Sequence, residues 1–195
     1  VGLRPRKLSV TAIESWISNP YSVYARHILK LDALPELGAS PDQSLRGALV
    51  HEVLSTFGSK FPGRLPDDIG AELRAIAREV LEAYTGHPRV AAFWLPRLER
   101  FLAWFASSEG ERRQGMRSVS SEISGTRVLG APAGAFTLTA RADRIDDDGT
   151  SLVITDYKTG GAPNNARVQS GRAPQLPLEA AIALGETGFP NLAGR

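Results

Sequence analysis

The sequence predicts an α/β fold in which a helical first half packs against a central mixed β-sheet, and two observations carry that prediction. Apolar residues recur at helical spacing through the first 108 positions, whereas beyond the charged stretch 109-EGERRQG-115 they alternate with a period of two. A turn around Gly149 then folds two strand-like stretches into a hairpin, and a helical pattern returns near 173–184.

Taken in order, Ser9 or Thr11 can cap a short helix through Trp16, and Asn19 followed by Pro20 forms an N-cap and first-turn pair for a second. Leu45, Leu49, Val53 and Phe57 form one stripe over 43–59. Ile69, Leu73, Ile76, Val80 and Tyr84 form another, capped by Asp67 or Asp68. A further helix over 90–108 meets Pro96, which predicts a kink or a new first turn. Residues 117–129 read as a strand. In 136-FTLTARAD-143, Phe136, Leu138, Ala140 and Ala142 alternate with Thr137, Thr139, Arg141 and Asp143, and 151-SLVITDYK-158 is the returning strand. The segment 159–174 is rich in Gly, Pro and Asn and reads as a flexible loop.

The length of 195 residues suits one domain: a mainly helical part over 1–110, then a sheet and following helix over 116–195. With 42% hydrophobic and 23% charged residues the chain reads as globular. No apolar run is long enough for a transmembrane helix and the N-terminus carries no secretory pattern, so a cytoplasmic protein without a membrane partner is expected. Zero cysteines exclude disulfides, thiolate zinc sites and an iron–sulfur cluster, so any metal must be held by oxygen or imidazole. A net charge of +2 is too small to argue nucleic-acid binding alone. The start without Met and the end soon after a helix suggest a piece of a larger chain.

Side chains two apart on a strand share a face, which sets Asp156 beside Lys158 and turns Tyr157 to the opposite side. The turn places Asp143 opposite Asp156 or one diagonal step away. Two carboxylates so close repel unless a cation lies between them. Oxygen ligands without thiolate favour Mg2+ or Mn2+, and such a site can activate water against a phosphodiester, with Lys158 orienting the water. The plain alternative is a salt-bridged edge hairpin, Asp156 with Lys158 and Asp143 with Arg141 or Arg144.

The pattern resembles the PD-(D/E)XK nucleases, in particular their RecB-like branch. An Asp ending one strand is followed by a hairpin to a strand ending Asp-x-Lys; 46-RGALVHEVL-54 resembles the branch's G-x-x-x-H-x-x-L helix; 141-RADRID-146 and 154-ITDYKTG-160 resemble its strand motifs; and Gln175 in 174-PQLPLEA-180 falls where the branch has Q-L-x-x-Y. The opening 8-LSVTAIESWISNPYSVYARHILKL-31 looks like the first helices of AddB-type helicase–nuclease subunits.

The resemblance implies a restriction-endonuclease-like core and a deoxyribonuclease that processes DNA ends in recombinational repair with an AddA-like helicase subunit. It implies a metal held by His51, Asp143, Asp156 and the Tyr157 carbonyl, with Lys158 positioning water and Gln175 assisting. Glu122 precedes Asp143 on a strand, where relatives carry a glutamate near the metal. Arg141, Arg144, Arg167 and Arg172 flank the site as candidate phosphate contacts; His27 and His87 read as packing or surface residues, and Trp16, Trp94 and Trp104 as core. Three departures stand out: Asn19 replaces a cysteine of the branch's iron–sulfur staple, Ala140 replaces a glycine, and Glu179 replaces the tyrosine. The chain also stops before a further strand and helix, which predicts a bare sheet edge. A non-catalytic DNA-binding or scaffold domain and a standalone restriction or CRISPR-adaptation nuclease remain alternatives.

Overall fold

The computed structural model describes residues 4–31, 34, 43–82, 88–190 and 192, with backbone alone at 43–45 and 88–94. The side chains of Leu45, Tyr84, His87 and Trp94 therefore lie outside the described residues.

Strand β3 (Phe136–Asp147) is the centre of a four-stranded mixed sheet. Strand β2 (Ser118–Leu129) pairs antiparallel along one edge. The other edge is shared by two partners: β1 (Lys7–Ser9) runs parallel to its start, with Leu8 beside Leu138, and β4 (Leu152–Thr155) runs antiparallel to its end, with Ile154 beside Ile145. Among the described strands none pairs this edge at 140–143, and Asp143 stands in the opening.

Local chemistry accounts for the helix starts. The Ser9 hydroxyl accepts the Ala12 N–H at 3.1 Å and begins α1 (Val10–Ser18). Pro20 opens α2 (Pro20–Val23), but the Asn19 side chain makes no capping bond, and after one turn the chain passes into a π-helical turn at Tyr24–Ile28. Helix α3 (Gln43–Lys60) is followed by α4 (Ile69–Glu82), where Asp68 rather than Asp67 accepts the Ala71 N–H at 2.8 Å. Helix α5 (Pro88–Arg112) runs through Pro96, which is exposed, so solvent can serve the carbonyl its missing N–H leaves unpaired. Within 159–174, expected as loop throughout, Asn164 caps the short α6 (Asn165–Gln169), accepting the Arg167 N–H at 3.0 Å. Helix α7 (Gln175–Ala183) follows.

Helices cover both sheet faces, as a restriction-endonuclease-like fold requires. On one side α3, α4 and α5 bury Leu49, Val53, Phe57, Leu73, Ile76, Leu98, Leu102 and Phe105, with the Tyr157 ring packed against them. On the other, Val10 of α1 and Ile182 of α7, together with Phe189, cover Leu138, Ala140, Ala142 and Ile145. Truncating a residue as deeply buried as Phe57 should cost about 3–5 kcal/mol. Glycines permit close approaches on both faces: a Cβ at Gly58 would lie 1.9 Å from the Ser121 hydroxyl, and one at Gly125 would lie 2.5 Å from the Phe189 ring.

The alternation in β3 does not run its full length. Ala142 and Ile145, three apart, face the same core, while Arg144 reaches across to Glu109 of α5. In β2 the phase also changes, since Ser121 faces α3 and Ile123 faces the α1 and α7 side. The ladder skips one pair between Ser121↔Arg144 and Ile123↔Ala142, namely Glu122 and Asp143. Glu122 has φ of 52°, in the left-handed region that a residue with a side chain rarely adopts. Both strands therefore kink at one level, with a carboxylate at each kink.

Among the described residues no helix is long and apolar enough to cross a membrane.

Candidate active site

The site forms where β4 leaves the sheet. The hairpin turn is tied by Asp148, whose carboxylate accepts the Ser151 hydroxyl, the Thr150 and Ser151 N–H groups, each at 2.7 Å, and the Thr150 hydroxyl; these donors hold it well below the usual carboxylate range. With that register fixed, pairing ends at Arg144↔Thr155, earlier than the expected strand end. The Asp143 carboxylate then replaces a ladder carbonyl, one oxygen accepting the Tyr157 N–H at 2.7 Å. This bond turns the segment Asp156–Lys158 away from the sheet and toward α7.

His51 reaches the same point from α3. Its Nε2 lies 2.7 Å from the Tyr157 carbonyl, which only accepts, so Nε2 carries a proton. Its Nδ1 faces Asp143 Oδ1 at 3.3 Å and Glu122 Oε1 at 3.9 Å. The hydrogen bond to Asp143 raises the imidazole pKa most, and the Asp143 charge, the Tyr157 carbonyl and Glu122 add to it against the opposing effect of burial. His51, Glu122 and Asp143 each offer one ligand atom within 4.8 Å of the others, a set of imidazole and carboxylate donors that fits a divalent cation. The strained backbone of Glu122 supports that reading, because it directs a third donor toward the other two.

A second group adjoins the first. Lys158 Nζ lies 2.8 Å from Asp156 Oδ2 and donates to Gln175 Oε1 at 3.0 Å; Gln175 Nε2 donates to Asp156 Oδ1 at 2.7 Å and to Glu179 Oε1 at 3.2 Å. The ammonium thus rests between a carboxylate and an amide whose orientation two further acceptors set.

Every predicted site residue is found in this region, with altered partners. Glu122, expected on the strand before Asp143 with its carboxylate near the metal, stands with His51 and Asp143 in the cluster that could hold a cation. Asp156, expected as a ligand, lies outside that cluster and is engaged by Lys158 and Gln175. The Tyr157 carbonyl, also expected as a ligand, accepts from His51. Its ring lies on the opposite side in the core, as the alternation predicts.

The salt-bridged reading accounts for Asp156 and Lys158 but not for Asp143. Arg141 pairs with Glu122 at 2.7 Å, and Arg144 is buried, its Nη1 holding Glu109 at 2.8 Å and its Nε holding Asp146 at 2.7 Å. Arg144 is therefore withdrawn from any phosphate, while Arg167 and Arg172 remain exposed.

Three residues stand otherwise than the sequence reading placed them. Glu179 is buried beside Gln175, with Oε2 lacking a hydrogen-bond partner among the described residues; desolvation pushes its carboxyl up to about 7, with smaller contributions from Asp156 and Asp143. Its spacing of four from Gln175, one helical face, was the available signal. Trp16 and Trp104, read as core, are exposed. Leu98, Leu102, Phe105 and Glu109 form the buried stripe of α5, and Trp104 is off it, which the helical period itself could have shown.

Comparison with known proteins agrees with the geometry. The chain is 31% identical over 186 residues to an uncharacterized protein of Rickettsia bellii, and 31% and 30% identical over 190 residues to uncharacterized proteins of Rickettsia typhi and Rickettsia conorii. Each alignment takes in 95% of this chain and 22–23% of the relative, so the chain spans about a fifth of the length of the curated relatives it matches. The profile of the PD-(D/E)XK nuclease superfamily matches residues 7–192, from β1 to beyond α7, and the chain belongs to that superfamily.

Proposed function

We propose that the chain is a metal-dependent deoxyribonuclease domain of the RecB-like branch, similar to that of AddB-type subunits, trimming DNA ends beside a helicase subunit of the AddA type. The observation that carries the nuclease assignment is the meeting of His51, Glu122 and Asp143 next to Asp156, Lys158 and Gln175. The branch and the repair role are supported by the ordered motifs around Gly47 and His51, Asp143, Asp156 and Gln175.

His51 Nδ1, Glu122 and Asp143 would hold the cation, Mg2+ or Mn2+ on the oxygen-rich donor set, with Asp156 alongside. Bound there, it supplies Lewis acidity to a phosphodiester and lowers the pKa of a water. Lys158 positions the attacking water and offsets charge that develops on the phosphate oxygens. Gln175 holds the ammonium in place through Oε1 and the Asp156 carboxylate through Nε2. Hydrolysis adds water across one P–O bond, the attacking oxygen losing a proton and the leaving oxygen gaining one.

Linear DNA labelled at either end and incubated with Mg2+, Mn2+ or EDTA tests the assignment, with Asp156→Ala and Lys158→Ala for comparison. Metal-dependent cutting should be lost in both variants while their thermal unfolding still shows a folded chain. DNA binding without cutting under any metal would favour the scaffold reading, and unchanged cutting by either variant would remove the residue assignment.

A further inference from the structure

A groove of about 260 Å3 opens beside the site between α3, α5 and the end of β4. Arg46 and Arg97 line it together with Phe101, Trp104, Lys158 and Thr159, so it shares Lys158 and Asp156 with the candidate site. Its apolar wall is an aromatic series. The Trp104 ring, 61% exposed, lies 5.8 Å from Phe101, which lies 6.4 Å from the buried Phe105, which in turn meets Tyr157 at 6.4 Å. The series ends one residue before Lys158, so the position of the exposed indole is fixed relative to the chemistry. An indole held in this way offers a flat face at little cost in side-chain entropy.

We propose that this groove is a nucleobase subsite, in which one unpaired base beside the scissile phosphate stacks on Trp104 while Arg46 and Arg97 meet the flanking phosphates. The inference rests on the nuclease reading and extends it to the substrate strand. The volume is just below that of ligand clefts, which run from roughly 300 to 1,000 Å3, and suits one base rather than a duplex. Two guanidinium groups and an ammonium beside an aromatic platform form the combination that binds single strands through phosphate charge and base stacking. Asp156, on the same lining, is paired with Lys158. A base inside a duplex is stacked on both faces and a terminal pair is larger than the groove, so the subsite engages a strand only where it is open.

Binding of short fluorescein-labelled oligothymidylate, in EDTA and in Ca2+, tests the subsite, using probes that carry one abasic position moved along the strand. The wild type should lose roughly 10- to 100-fold in affinity when one particular base is missing. Trp104→Ala should lose a similar factor on the intact probe and no longer distinguish the abasic one, while Trp104→Phe keeps most of both. A blunt duplex should bind Trp104→Ala and wild type alike. Arg46→Ala and Arg97→Ala should each lower the salt slope of binding by about one. The subsite is overturned if the wild type does not bind the probe, if Trp104→Ala binds as tightly as wild type, or if it retains the abasic penalty. Cleavage is scored separately. Metal-dependent cutting with no coupling between Trp104 and a base leaves the nuclease and removes the subsite, whereas coupling without cutting keeps the subsite and removes the nuclease.

Discussion

His51 Nδ1 lies 3.3 Å from Asp143 Oδ1, joining a helix of the first half of the chain to the central strand of the second. Because the Tyr157 carbonyl fixes a proton on Nε2, Nδ1 either donates to Asp143 as imidazolium or presents a lone pair. The same contact serves the ion pair and would serve the proposed metal site, so protons and a metal would compete for it.

This competition predicts a pH dependence of metal binding. The raised pKa of His51 means that, below it, a metal must displace a proton from Nδ1. Apparent affinity for Mn2+ should rise up to tenfold per pH unit as the pH approaches that pKa and level off above it. Calorimetry in buffers of different ionisation enthalpy should count close to one proton released per Mn2+ at low pH. In His51→Asn the affinity should be weaker and the slope shallower; an unchanged slope would show that His51 is not a ligand.

Gln175 predicts a different loss. Its amide touches the ammonium of Lys158 and the carboxylate of Asp156 but no member of the ligand cluster. Gln175→Leu should therefore lower kcat for DNA cutting by about one to two orders of magnitude with metal affinity nearly unchanged, the mark of an interaction expressed in the transition state. A parallel drop in Mn2+ affinity would place Gln175 in metal binding instead.

The site was legible in the sequence to different depths. Asp156 beside Lys158, and Asp143 near Asp156, follow from the period of a strand and the position of Gly149, both local properties. The partition between them was not legible, because it depends on the paired kink at Glu122 and Asp143, where two strands change phase together. Strand β1 was missed for a related reason: three residues are too few to show a period, and its pairing partner Thr137–Thr139 is remote in sequence. The helical stripes on α3 and α4 were plain, since apolar spacing alone determines which face is buried.

Glu179 predicts that the metal-free protein loses stability as the pH rises. Its folded pKa, about 7, is above the ordinary 4.5, so the folded state retains a proton that the unfolded chain releases. Its contribution is intact below about pH 4.5, declines between there and 7, and is gone above, a difference of at most about 3 kcal/mol from the size of the shift. Urea unfolding in EDTA at several pH values should show this decline in the wild type. Glu179→Gln, which retains an oxygen for the Gln175 amide, should flatten it over that window. Parallel curves for the two proteins would mean that Glu179 does not titrate there.

The buried ion network between α5 and β3 predicts a large stability effect. Glu109 is fully buried and accepts from Arg113 at 2.6 Å and Arg144 at 2.8 Å, and Arg144 also holds Asp146 at 2.7 Å. Removing the acid leaves two guanidinium groups in the interior, where each already has one nitrogen without a partner among the described residues. Glu109→Ala should destabilise the chain by about 3–5 kcal/mol, more than replacing an exposed pair such as Lys60 with Glu72. Replacing Glu109, Arg113 and Arg144 together with Leu, Met and Met should recover part of that loss, because the two buried guanidinium groups are gone and the acid left in the interior, Asp146, keeps Arg112 at 3.7 Å. The network also ties α5 to β3 where Arg112 meets Thr155 at the end of β4. If it aligns the helix that carries Trp104 with the strand that leads to Asp156, the triple replacement should regain stability without regaining full cutting. Recovery of both would make the network a matter of stability alone.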